Sequence, residues 1–234
     1  MQTNSPVTRE DFENFKLFIF DLDGTLYDQA KLRRRMVLNL ISRIITFRLS
    51  PSDLRIISSF RRQRENHKGF RSLTIEKDQY LWCAEELNEP VDRVRTCIRE
   101  NMHLRPLKHL YKARYPAVED VFDILKKQKK SIAIYSDHPI KEKMVALCLT
   151  ADAYFCSTDE ELLQLKPSGK AIETICKRML VPKKESILIG DRDDTDRESA
   201  IQAGIAFLKV NIPEARSGKF YTNLFQTIAL THEK

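Results

Sequence analysis

The sequence predicts an α/β fold, a parallel sheet flanked by helices, with an all-helical domain inserted behind the first strand. Three observations point there: short apolar runs that stop abruptly at polar residues, amphipathic segments alternating with them, and one long stretch where the strand pattern disappears. KLFIF (16–20), SIAIY (131–135) and SILIG (186–190) are the apolar runs. Their continuous hydrophobicity suits strands covered on both faces, as in parallel sheets. AYF (153–155) and IAFLKV (205–210) are shorter candidates of the same kind. Between them, AVEDVFDILKKQ (117–128) sets Val118, Val121, Phe122 and Leu125 on one helical stripe. KEKMVALCL (141–149) and KAIETICKRML (170–180) follow the same rhythm. This alternation requires crossover helices on both sides of the sheet.

From 29 to 114 no strand pattern remains. MVLNLISRIITF (36–47), LRIISSFRRQR (54–64), IEKDQYLWCAEEL (75–87) and VDRVRTCIREN (91–101) are amphipathic, with prolines at Pro51 and Pro90 marking helix starts. The expected division is an α/β core of residues 1–27 and 115–234 and a helical cap of 28–114. Its hinges are expected near Tyr27-Asp28 and Tyr115-Pro116.

Composition narrows the class. With 42% hydrophobic and 31% charged residues the chain reads as an ordinary globular protein. No apolar run approaches the ~20 residues of a membrane span. The first fifteen residues do not resemble a signal peptide. Five cysteines without metal-ligand spacing suggest reduced thiols, so a cytoplasmic location is expected. The net charge of +7 is concentrated: between Lys31 and Arg71, ten Arg and two Lys face only Asp53 and Glu65. That is a balance of +10, which leaves −3 for the rest of the chain.

Ligands of open α/β sheets bind at the carboxyl ends of the strands. Asp21 and Asp23 follow the first apolar run, Ser136 the second and Asp191 the third, while Lys166 lies on the loop after AYF. Parallel strands bring all of them to one edge. Carboxylates gathered in one cleft repel unless a hard cation joins them, and oxygen ligands of this kind suit Mg²⁺. A carboxylate can also attack phosphorus. A lysine and a hydroxyl neutralise the transferring oxygens. A second acid can give and take the proton, for which Asp23 would need a pKa raised by desolvation. Gly24 permits a tight turn whose backbone N–H groups point at an anion.

DLDGT (21–25), a strand-end Ser, an isolated Lys before Pro and GDRDDTD (190–196) together resemble the haloacid dehalogenase-like hydrolases. The resemblance covers about 15–27 and 115–212, and it implies a Rossmann-like core with the insert in the place of that family's helical cap. It implies Asp21 as nucleophile and Asp23 as general acid/base. Ser136 and Lys166 would bind phosphate, grouped with Gly24, Thr25 and Asp137. The metal would be held by Asp21, Asp191 and the main-chain carbonyl of Asp23. Asp196 is assigned as the last acid, Asp194 is close enough to compete, and Asp193 is expected to face solvent.

Each motif also has a plain structural reading. Asp21-Leu22-Asp23-Gly24 can be a turn, Ser136-Asp137 can cap a helix starting near Ile140, Lys166 can be solvated, and GDRDDTD can cap a helix running to Ala203. Their joint order favours a Mg²⁺-dependent phosphohydrolase of a small phosphorylated metabolite. A phosphomutase with the same aspartyl-phosphate intermediate is the first alternative. A non-catalytic binding module with a basic cap is the second, and a dehalogenase is less favoured. The basic segment has three readings: a solvated face, attraction of an anionic substrate, or a nucleic-acid or acidic-lipid partner, the last with few interleaved aromatics. His67–Arg71 is the loop expected to reach the substrate. His103, His109 and His138 are scattered and suggest no metal set.

Overall fold

The computed structural model describes residues 9–36 and 50–230. Five parallel strands form one sheet: β1 (Leu17–Phe20), β2 (Ser131–Ser136), β3 (Ala153–Cys156), β4 (Ser186–Gly190) and β5 (Ala206–Lys209), in the order β3-β2-β1-β4-β5. β1 is central, with Phe20 opposite Ile134 on one side and Ile189 on the other. The polar residues after β1, β2 and β4 therefore emerge level with one another.

Alternation along the strands divides the core. Phe18, Phe20, Ile132, Ile134, Ile187 and Ile189 enter one apolar cluster. Leu17, Ile19, Ala133, Tyr135 and Leu188 enter the cluster on the opposite face. The first face is covered by α7 (Val118–Lys127) and α12 (Lys219–Ala229), with α1 (Arg9–Asn14) against α12. The second is covered by α9 (Gly169–Arg178) and α10 (Glu198–Ala203). α8 (Lys141–Ala146) follows β2, and α11 (Ile212–Ser217) precedes α12. α12 carries a strong apolar stripe of Tyr221, Leu224 and Ile228, a helix that the apolar runs and amphipathic segments above do not include.

Between β1 and β2 every regular element among the described residues is helical. α2 covers 29–36. α3 (Pro51–Asn66), α4 (Ile75–Leu87), α5 (Val91–Ile98), a π-helical turn Arg99–Leu104 and α6 (Leu107–Leu110) follow. Most of the helix expected over 36–47 lies outside the described residues. α3 starts with a complete capping box, Ser50 and Asp53 exchanging side-chain and backbone bonds. Ile56, Phe60, Tyr80, Cys83, Val94 and Ile98 give these helices an apolar cluster of their own.

The chain leaves and re-enters the α/β layer at one place. The Asp28 N–H donates to Ala113 at 2.9 Å, the Tyr115 N–H donates to Leu26 at 3.2 Å, and Tyr27 bridges Arg114. Asp28 also accepts from the Lys31 N–H at the start of α2 and pairs with Arg216 of α11. A second seam lies at the loop after α3. Gly69 N–H donates to Lys166 O at 3.0 Å, Leu165 N–H donates to Phe70 O at 3.0 Å, and Ser72 N–H donates to Leu163 O at 3.2 Å. The loop His67–Arg71 is thus zipped to the loop that carries Lys166. All five cysteines are free thiols. Among the described residues no helix is long and apolar enough to cross a membrane.

Candidate active site

Asp21 stands one residue beyond β1, its N–H bonded to Ile189 O of β4 at 2.9 Å. Asp191 stands one residue beyond β4. Asp196 lies in the π-helical turn Asp193–Arg197 that leads into α10. Carboxylate oxygens of these three residues lie within 4.8 Å of one another. Two glycines make that approach possible. Gly24 has φ +105°, and a Cβ there would come within 2.5 Å of Asp191 Oδ2; a Cβ on Gly190 would come within 2.5 Å of Asp196 Oδ2.

Lys166 is the cation of this cluster, and only 3% of it is exposed. Its Nζ donates to Asp21 Oδ1 at 2.7 Å, to Asp196 Oδ1 at 2.9 Å and to Tyr135 O at 2.9 Å, and it rests on the Tyr135 ring. The solvated reading of Lys166 is therefore wrong: the loop after β3 drives it inward. Burial would lower its pKa, but Asp196 and Asp21 reverse the effect and raise it. Burial, together with the neighbouring acids, raises Asp21 well above the ordinary carboxylate value despite Lys166. Burial and Asp196 likewise raise Asp191, to about 6. Three carboxylates against one ammonium leave negative charge in a dry place. Their oxygen donors fit a hard divalent cation.

Asp194 and Asp196 are placed differently. Asp196 faces Lys166 and accepts from the Arg192 N–H at 3.2 Å. Asp194 points outward to Arg192 and Lys68. Asp193 is half-exposed and paired with Arg197 and Lys209.

Asp23 is set apart from the three clustered acids. Lys143 donates to its two oxygens at 2.6 and 2.7 Å, Tyr27 OH donates to Oδ1, and Ser136 Oγ donates to Oδ2 at 3.3 Å. Burial by itself would raise this acid. The charges of Lys143 and His138 and the bonds from Lys143 and Tyr27 overcome burial and hold it well below the usual carboxylate range. The expectation of a raised Asp23 is corrected here, because desolvation is accompanied by a buried ammonium. Lys143 is absent from the sequence reading, although its position is legible: Ile140, Lys143, Met144 and Leu147 form one buried stripe, so a lysine occupies an apolar position of α8.

The remaining expected residues are placed as follows. Ser136 Oγ accepts from the His138 N–H at 3.1 Å, and α8 has no side-chain cap, so the capping reading of Ser136-Asp137 fails. Asp137 Oδ1 accepts from Ser157 and from the Lys166 N–H at 3.0 Å, and Arg64 donates to Asp137 O at 2.7 Å. Its carboxylate fastens the Lys166 loop. Thr25 is fully buried, 3.4 Å from Asp191, and its carbonyl accepts from Tyr221. His103 and His138 are brought together after all, their rings 5.9 Å apart above Asp23, but they are not part of any metal-type cluster among the described residues.

Over these groups lies a cavity of about 590 Å³, with Asp21, Asp23, Lys143 and Lys166 on its floor. Its roof is built from one stripe of α2 (Gln29, Leu32, Arg33, Met36) and one of α3 (Ile57, Phe60, Arg61, Arg64). Across the mouth, Arg192 makes a two-pronged pair with Glu65 at 2.9 and 3.0 Å, and Lys68 meets Asp194 at 2.6 Å.

The fold is matched among known proteins. The chain superposes on a 2-haloacid dehalogenase from Pseudomonas syringae pv. Tomato with TM-score 0.56 and 20% identity, covering 84% of this chain and 86% of the other. A HAD phosphatase from Thermococcus onnurineus gives TM-score 0.56 and 17% identity over 84% and 86%. CbbY from Rhodobacter sphaeroides, solved with phosphate, gives 0.53 and 15% over 85% and 88%. At these identities the likeness is one of fold. No curated protein matches the sequence. The haloacid dehalogenase-like hydrolase profile matches residues 15–204, which span the acid-bearing strand ends and the helices between β1 and β2, so the chain belongs to the haloacid dehalogenase-like hydrolase family.

Proposed function

We propose that the protein is a Mg²⁺-dependent phosphohydrolase acting on a small phosphorylated metabolite, with residues 28–114 as the cap over its active site. One observation carries this reading: the acids are divided. Asp21, Asp191 and Asp196 share one node, whereas Asp23 stands outside it with its own proton-donating partners. Displacing a halide requires no proton for the leaving group; displacing an alkoxide does.

In this scheme Asp21 attacks phosphorus in line, and the P–O bond to the leaving group breaks. Asp23 delivers a proton to the departing oxygen, then takes one from the water that hydrolyses the aspartyl phosphate. Lys166 and Ser136 hold the transferring oxygens, with backbone N–H groups of the Gly24 turn. Asp21 and Asp191, with Asp196 and the carbonyl of Asp23, would hold the Mg²⁺, which supplies neutralisation of the phosphoryl charge. Lys143 answers two anions in turn. An arriving phosphoryl dianion competes for its ammonium, and the release of Asp23 lets burial raise that acid toward proton-holding range.

The test is p-nitrophenyl phosphate turnover with Mg²⁺ against Asp21→Asn, alongside a panel of phosphate esters and 2-haloacids. Mg²⁺-dependent release of phosphate that vanishes in the variant supports the reading. Halide release without phosphatase activity overturns it. Transfer of phosphate to an added sugar phosphate in place of water would identify a phosphomutase.

A further inference from the structure

Lys166 reaches the floor on a flexible stem, from a stretch that builds no helix or strand of its own. Between the end of β3 at Cys156 and the start of α9 at Gly169 the chain is turn and loop, with one isolated bridge at Gln164. The stretch is fixed only where its backbone groups find partners. On the core side, Asp137 Oδ1 accepts from the Lys166 N–H at 3.0 Å, Ser157 O from the Gln164 N–H at 3.1 Å, and Ser199 Oγ from the Ser168 N–H at 2.9 Å. On the other side stands the loop after α3. Gly69 N–H donates to the carbonyl of Lys166 itself, Leu165 N–H donates to Phe70 O, and Ser72 N–H donates to Leu163 O. Lys166 is thus held through its N–H by the core and through its carbonyl by this loop.

Gln164 ties the two sides together. Its Nε2 donates to Gly69 O at 3.1 Å, its Oε1 accepts from Ser168 Oγ at 2.8 Å, and its backbone bridges Arg71. One half-buried side chain therefore spans the turn that carries Lys166. The loop it grips is anchored in turn. The His67 ring stacks on Trp82 of α4 at 3.7 Å, the Phe70 ring meets Trp82 edge-on at 5.2 Å, and His67 Nδ1 donates to Gln63 O at 2.7 Å. Of the loop His67–Arg71, Lys68 alone lines the cavity. The contacts of the others go to the Lys166 turn and to α4, not to the space a substrate would fill.

We propose that Gln164 is a positioning residue: by joining the Lys166 turn to the loop after α3, it makes the placement of the Lys166 ammonium depend on the cap. Nζ meets Asp21 Oδ1, Asp196 Oδ1 and Tyr135 O together only while the backbone at Lys166 stays where both sides hold it. A buried group that must meet several partners at once needs such a supporting shell, because a shift of about 1 Å costs on the order of 10²-fold in rate. The inference rests on the phosphohydrolase reading for what Lys166 does once it is placed. The cap then serves the floor as well as covering it.

The test reads Lys166 directly, without turnover. Wild-type protein, Gln164→Met and Gln164→Glu are treated with an amine-reactive N-hydroxysuccinimide ester, and the modification rate of each lysine is followed by mass spectrometry. Gln164→Met keeps the length of the side chain and loses both bonds. It is expected to label Lys166 about fivefold faster or more, through local opening of the turn. Lys143, also buried and ion-paired, is expected to keep its wild-type rate. Gln164→Glu retains the acceptor for Ser168 and sets an oxygen against Gly69 O, so it should match Gln164→Met. With p-nitrophenyl phosphate and Mg²⁺, both variants are expected to lower kcat about tenfold with KM within about twofold, the mark of an interaction made in the transition state. An unchanged Lys166 rate in Gln164→Met overturns the proposal, as does equal acceleration at Lys143, which reports general loosening. A wild-type rate in Gln164→Glu also overturns it, by assigning the effect to the Ser168 bond within the core, and so does an unchanged kcat beside faster labelling. Failure of the reaction reading looks different: the wild-type protein then hydrolyses no ester, while the contrast between Lys166 and Lys143 in labelling persists.

Discussion

Lys143 grips both oxygens of Asp23, at 2.6 and 2.7 Å, although Asp23 lies in the turn after β1 and Lys143 in α8, 120 residues further on. This pair decides the protonation of the one acid that stands outside the clustered three. Removing the ammonium in Lys143→Met leaves burial as the largest influence on Asp23, so its pKa rises. The limb of the kcat/KM profile governed by Asp23 is expected to move to higher pH by about two units or more, as for other buried carboxylates stripped of a partner. A superimposable wild-type and variant profile would show that Lys143 does not control this acid.

Divalent metal is expected to stabilise the fold through Asp21, Asp191 and Asp196. At a concentration 100-fold above its Kd, a ligand of the native state adds about 2.7 kcal/mol. For a chain of this size that raises Tm by roughly 5–10 °C. Asp191→Asn and Asp196→Asn should abolish the shift, measured by thermal unfolding with Mg²⁺ or EDTA. The shift should also weaken toward acid pH, because Asp191, with its pKa raised to about 6, then takes up a proton that the metal must displace.

His103 and His138 make the fold sensitive to mild acid. Burial and then the charge of Lys143 push His103 down to about 4, and burial and then Arg64 push His138 well below its ordinary value. The unfolded chain therefore binds more protons than the folded one at pH values between the folded pKa and about 6.5. Stability from these neutral rings is complete above about 6.5 and is lost as pH falls toward 4, at up to about 1.4 kcal/mol per pH unit for each ring. Urea unfolding at about pH 7 and about pH 5 checks this. His103→Gln should flatten the dependence, and an unchanged slope would assign the loss to other groups.

Gly24→Ala places a methyl group where Asp191 Oδ2 sits, at a φ of +105°. Backbone strain alone costs about 1–3 kcal/mol. The displaced Asp191 should lower the Mg²⁺ response further than stability loss accounts for. Denaturant midpoints and metal-induced Tm shifts, read on the same protein, separate the two effects.

Much of the frame was written locally. Apolar runs ending in Asp21, Ser136 and Asp191 place these residues at strand ends by pattern alone, because a strand buried on both faces must stop where charge begins. The helical nature of 51–110 also follows from periodicity and from Pro51 and Pro90. What a run of residues does not contain is the partner it meets across the fold. Lys143 looks like one more surface lysine until α8 turns its buried stripe into the core and carries Lys143 to Asp23. Asp194 and Asp196 differ by two positions in one acidic string. The turn after β4 and the missing Cβ of Gly190 bring Asp196 in to Lys166 and send Asp194 out to Lys68. The sequence by itself determined the parallel sheet and which acids stand at its edge. Only the tertiary structure decided which cation each buried acid meets, since ion pairing in a buried site depends on distances between elements far apart in the chain.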